Sequence, residues 1–149
     1  MVGMRRVEGT VHIAATPAEV YAFLAEPANL PRWQTGIVSS ERTSPAPTAV
    51  GSTGRVVLEV MGQRVAADIT CREAVADRRL VLATSVSGMS VLGSLDLAAA
   101  EGGTQVTFSS EVKAESIFMA PLERVVAGVA ERDLDASLAR LQAALAKPT

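Results

Sequence analysis

From Ile37 to Ala114 the chain is a run of alternating segments joined by connections too short to hold a helix. Six segments, Ile37–Arg42, Arg55–Met61, Arg64–Val75, Leu80–Ser87, Met89–Leu97 and Gln105–Ala114, carry apolar side chains at a period near two. That period marks a strand with one buried face. The last five are separated only by Gly62-Gln63, Ala76–Arg79, Gly88 and a stretch holding Glu101-Gly102-Gly103, all of which suit hairpins. Parallel neighbours need a crossover of a dozen or more residues, so this sheet is expected to be antiparallel. Ser44–Gly54, with Pro45, Pro47, Gly51 and Gly54, is the longest loop.

The two ends of the chain decide how such a sheet is covered. Val7–Ile13 reads as a seventh strand, with Val11 and Ile13 on one face and Thr10 and His12 on the other. It runs into Thr16-Pro17-Ala18-Glu19, where threonine suits the N-cap, proline the first helical position and glutamate the capping box. Val20, Phe23 and Leu24 make one stripe. Glu26-Pro27 ends that helix, because a residue before proline disfavours helical geometry. Asn29–Trp33 reads as a short second turn. From about Pro121 to Ala146, Leu134, Leu138, Leu141 and Leu145 form a continuous helical stripe. In the first half of that helix Leu122, Val125, Val126 and Val129 share a face, interrupted by Gly128. A mid-helix glycine costs about 1 kcal/mol relative to alanine, and its presence is read as a close backbone approach, a bend over a cavity, or ordinary drift. The expectation is one α+β domain over residues 1–149, a curved seven-stranded antiparallel sheet wrapped around a long C-terminal helix.

A curved sheet gripping one helix has a large interior, and this chain has few bulky groups to fill it. Its aromatics are Tyr21, Phe23, Trp33, Phe108 and Phe118, while Ala67, Cys71, Thr84, Gly93 and Ser110 are small residues at expected inward positions. Interiors are close-packed, so a sparse wall must collapse onto the helix or enclose a pocket, expected at roughly 300–1,000 Å³. The expected sheet-side lining is Trp33, Ile69, Cys71, Leu82, Thr84 and Leu95, with Phe108 and Ser110. Phe118, Met119, Leu122, Val126 and Val129 are expected on the helix side. Met61, Met89 and Met119 are adaptable wall material. Thr84 and Ser110 would orient a guest, and Trp33 is either part of the site or a buried anchor for the short helix.

Other chemistries are poorly supplied. Fourteen basic against sixteen acidic residues give a net charge of −2, so no overall field recruits nucleic acid or an anionic membrane. One histidine, His12, on a polar face excludes a Ser-His-Asp triad and a multi-histidine metal site. Cys71, the sole cysteine, permits no intramolecular disulfide and suits a reducing cytosol. With no histidine to activate it, it reads as a small hydrophobe. No apolar run approaches the roughly 18 residues of a membrane span. The twin arginine at Arg5-Arg6 lacks the apolar region of a signal peptide, so a cytoplasmic protein is expected. Gly51-Ser52-Thr53-Gly54 lacks the lysine of a phosphate-binding loop. Glu59 is the one weak catalytic candidate: buried if Val57 and Met61 face inward, solvated if Val56, Leu58 and Val60 do. No metal or cofactor is expected.

The strand followed by Ala15–Leu24 and then Pro27–Trp33 resembles the opening of the SRPBCC superfamily, which includes START lipid-transfer domains and polyketide cyclase/dehydrase-like proteins. Val50–Gly54, Gly103–Phe108 and the helix from Arg132 to Leu141 resemble its later landmarks, so the likeness spans nearly the whole chain. The resemblance implies a helix-grip fold with two small helices closing one end and a hydrophobic tunnel beneath the long helix. It implies binding of a lipid- or polyketide-like molecule. Alternatives within the superfamily are a cyclase or dehydratase that shapes a polyketide-like chain, and an accessory protein like those associated with carbon-monoxide dehydrogenase. Fold membership alone does not select among them.

Overall fold

The structure, a computed structural model, describes residues 4–60, 62–86, 88–114, 118 and 120–146, without the side chains of residues 4, 5, 120 and 122. Seven strands, β1 (Met4–Ile13), β2 (Ile37–Arg42), β3 (Thr53–Val60), β4 (Gln63–Val75), β5 (Arg79–Val86), β6 (Met89–Ala100) and β7 (Gly103–Ala114), form one sheet. Its order is β1-β7-β6-β5-β4-β3-β2, antiparallel throughout. Five hairpins in series dictate that order, and the first strand closes onto the last. β6 and β7 run further toward each other than their alternation suggests, pairing as far as Ala100↔Gly103. The Ala98-Ala99-Ala100 run is a weak strand former in isolation, and ladder pairing overrides that preference. Register shifts at Ile37/Ser39 and Cys71/Glu73 interrupt the ladders, and such bulges bend a sheet and increase its twist.

Helix α1 (Pro17–Ala25) starts with the expected capping box, in which the Glu19 amide donates to Thr16 Oγ1 at 3.2 Å. A 3-10 turn (Pro27–Asn29) and α2 (Leu30–Trp33) follow. The long helix α3 (Ala120–Ala144) lies on the concave face of the sheet. It sits closest at Gly9, where an added Cβ would come within 2.8 Å of Leu138 Cδ1 and 3.1 Å of Leu134 Cδ2. Three side-chain bonds fasten its second half. Ser137 Oγ accepts from the Thr35 amide at 3.0 Å, Arg140 donates to the Pro31 carbonyl at 2.7 Å, and Gln142 donates to the His12 carbonyl at 2.8 Å. At its start, buried Glu123 accepts from the Ala114 amide at 3.3 Å, joining α3 to the end of β7.

The interior has two unequal halves. Ile13, Val20, Leu80, Val106 and Leu141 are wholly buried, with Leu24, Leu95, Leu97 and Leu138 in the same cluster. This solid core lies where α1 meets β5, β6 and β7 and where the second half of α3 crosses β1. Toward the other end of β5, β6 and β7, beneath the first half of α3, the interior is not filled.

Candidate functional site

The unfilled space is a partly open cavity of about 150 Å³. Its floor is set by strand register. One row across the sheet reads Val7–Ser110–Gly93–Leu82 and the next reads Val112–Val91–Thr84–Ile69. Gly93 has no side chain and Ser110 a small one, so the first row leaves a depression. A Cβ added to Gly93 would meet Phe108 Cε1 at an ordinary 3.5 Å, so nothing already occupies that volume. Ile37, Leu58 and Val60 form a side wall, and Val126, Val129, Ala130 and Leu134 of α3 form the roof. Trp33 closes one end, its ring packed edge-to-face on Phe108 with centroids 5.4 Å apart.

Nine of the expected lining residues border this cavity: Trp33, Ile69, Leu82, Thr84, Leu95, Phe108, Ser110, Val126 and Val129. Others fall elsewhere. Phe118 is 89% exposed and stands outside the wall, because it precedes α3 and so does not share the direction of the helical stripe. Cys71 is buried but borders a separate space of about 30 Å³, together with Arg42 and Thr48. Leu30, Ile69 and Leu82 border both spaces and form the partition. Burial pushes the Cys71 thiol above its ordinary pKa, which suppresses the thiolate. Met61, Met119 and the Leu122 side chain lie outside the described residues. The volume of about 150 Å³ is below the expected range, with Trp33, Phe108, Val91 and Val112 among the bulky residues that border it.

Glu59 is exposed on β3, with Leu58 and Val60 more buried on either side, so the solvated register holds. Its amide donates to the Gly36 carbonyl at 2.8 Å, and the residue borders the cavity mouth. His12 is exposed with Nε2 2.9 Å from the Glu101 carbonyl oxygen, outside the cavity. The Ser44–Gly54 loop is tied down: Thr48 donates to the Ala25 carbonyl at 2.6 Å, the Gly51 amide donates to the Cys71 carbonyl, and the Cys71 amide donates to the Ser52 carbonyl. Its residues border the smaller space, not the main cavity. Gly128 has nothing within 4 Å of an added Cβ, so close backbone approach does not explain it.

Sequence reasoning missed a polar group at the mouth. Asp133 and Ser137 on α3 line the cavity with Gln34 and Thr35. The signal was present: Val126, Ala130, Asp133 and Ser137 recur at helical spacing, but only the apolar members of the stripe were followed. Arg132 Nε lies 3.1 Å from Asp133 Oδ1. Among the described residues, Trp33 Nε1 and Thr35 Oγ1 are buried without a hydrogen-bond partner. Among the described residues no cluster of three or more His, Cys, Asp or Glu side chains is placed to hold a metal. Among the same residues no helix is long and apolar enough to cross a membrane.

The family described as polyketide cyclase/dehydrase and lipid transport matches residues 4–146. No curated protein matches the chain. Among solved structures, the Zhui aromatase/cyclase from Streptomyces sp. R1128 superposes with a TM-score of 0.78 at 16% identity, over 96% of this chain and 94% of that one. A START superfamily protein from Mycobacterium smegmatis gives 0.75 at 14% identity, over 95% and 97%. A protein from Rhodobacter sphaeroides gives 0.66 at 25% identity, over 97% of each chain.

Proposed function

The chain belongs to the polyketide cyclase/dehydrase and lipid transport family of the SRPBCC superfamily, and we propose that it holds a small hydrophobic or amphipathic molecule between the sheet and α3. The observation that carries this reading is about 150 Å³ of apolar-walled space beside a solidly filled core. A dry apolar cavity of about that volume accommodates a benzene ring. Burial supplies most of the affinity, at about 25 cal/mol per Å² of apolar surface removed from water. Trp33, Phe108, Val126 and Val129 provide that surface, and Thr84 and Ser110 offer hydroxyls to an otherwise apolar body. A cytosolic setting accords with the single free, buried cysteine.

Trp33 is the only tryptophan and lines the cavity, so it reports on occupancy directly. Titration with a small fluorescence-silent aromatic such as toluene is expected to shift Trp33 emission saturably. Native mass spectrometry of protein purified from its own host should show the co-purifying guest. Absence of both effects would refute the reading.

A second reading, cyclase-type catalysis, is favoured by one observation: the Asp133 carboxylate on the roof helix borders the cavity and has acid/base capacity. An Asp133→Asn variant that binds a polyketide mimic yet loses its cyclisation would support it.

A further inference from the structure

We propose that this cavity selects a guest whose head group donates hydrogen bonds, a hydroxyl or an ammonium, and rejects one ending in a carboxylate. This inference rests on the cavity-binding reading above. Among the described residues, Glu59 and Asp133 are the charged residues that border the cavity, and no lysine, arginine or histidine borders it. The Glu59 side chain leaves β3 on the face opposite Leu58 and Val60, beside its ladder partner Arg64, so Asp133 is the carboxylate at the mouth. Ser137, one turn beyond Asp133 on α3, accepts from the Thr35 amide, and Glu59 donates its own amide to Gly36 beside Thr35. The polar lining side chains of Gln34, Thr35, Asp133 and Ser137 therefore share one mouth, and the apolar body extends from it.

The nearby cations are directed to solvent. Arg132 engages Asp133 Oδ1, but its own side chain is 73% exposed, whereas that of Asp133 is 17% exposed. Arg64 faces Glu59 across the β3–β4 ladder and is exposed. A guest carboxylate at this mouth would meet the like charge of Asp133 in a partly desolvated setting, where repulsion is stronger than in water. A hydroxyl or ammonium would instead find a carboxylate acceptor. Thr35 Oγ1, buried there without a partner, adds one further group that a hydroxyl can satisfy, since a hydroxyl both gives and takes hydrogen bonds.

The test uses three probes with one tail, 1-octanol, octylammonium and octanoate, titrated at neutral pH against the full chain with Trp33 emission and calorimetry as readouts. The alcohol or the ammonium, or both, is expected to bind about tenfold or more tightly than octanoate, a difference of about 1.4 kcal/mol. Which of the two binds better identifies the head group. In an Asp133→Asn variant, shown by thermal unfolding to remain folded, octanoate should gain affinity and the discrimination should shrink. Octanoate binding as tightly as both other probes, or discrimination unchanged in the Asp133→Asn variant, overturns the inference while leaving the cavity reading intact. Saturable binding by none of the three overturns both.

Discussion

At Gly93 the absence of a side chain is what keeps the cavity floor open. Its neighbours in the row, Ser110 and Leu82, leave room above it, and the nearest atom to an added Cβ is Phe108 Cε1 at 3.5 Å. A strand-interior glycine also weakens the strand, by roughly 0.5–1 kcal/mol relative to alanine. Gly93→Val should therefore fill the floor, its Cβ meeting Phe108 at ordinary contact distance. The expected outcome is unfolding stability equal to or above that of the parent, with probe binding weakened at least severalfold, measured by denaturant titration and Trp33 emission. The same logic explains why Cys71 is not part of this floor. It pairs with Leu82 but lies beyond the Leu30–Ile69–Leu82 partition.

Among the elements, α3 does two jobs along its length. Its second half is clamped to β1 and α2 by Leu138, Leu141 and the Ser137, Arg140 and Gln142 bonds. Its first half roofs the cavity through Val126, Val129 and Ala130. Gly128 points away from that roof into open space, so it contributes neither packing nor a close approach. Gly128→Ala is expected to stabilise the protein by about 1 kcal/mol through helix propensity alone, read from the denaturation midpoint at unchanged slope. Helix α1 is locally encoded by its capping box, whereas α2, a single turn, is held in place through Leu30 and Trp33 against the core.

Across the whole molecule, stability and binding capacity occupy different halves of one interior. Leu141 is wholly buried in the filled half, and Val129 borders the cavity in the other. Leu141→Ala should cost about 2–5 kcal/mol, the usual range for a large-to-small change in a close-packed site. Val129→Ala removes fewer contacts, because one side of that residue already faces empty space. Its expected cost is at most about 1 kcal/mol, together with a clear change in probe affinity. Parallel denaturation and titration of the two variants checks this division. The same division is why the cavity does not collapse: the filled half and the five-hairpin ladder hold the sheet's curvature regardless of what the other half contains.

The architecture was legible in the chain because its signals are local. Period-two alternation, hairpin-length connections, the Thr16–Glu19 capping box and the leucine stripe each act over a few residues, and together they imply one antiparallel sheet and one terminal helix. Much of the cavity wall followed from the same periodicity, since alternation decides which side chains face inward. What needed the tertiary structure was everything set by the meeting of distant elements. The direction of Phe118 in the connection before α3, the partition that removes Cys71, and the true size of the space depend on side chains brought together from across the chain. So does the polar mouth, because Thr35 and Asp133 are 98 residues apart and converge only when the segment after α2 and the long helix α3 close over the same opening.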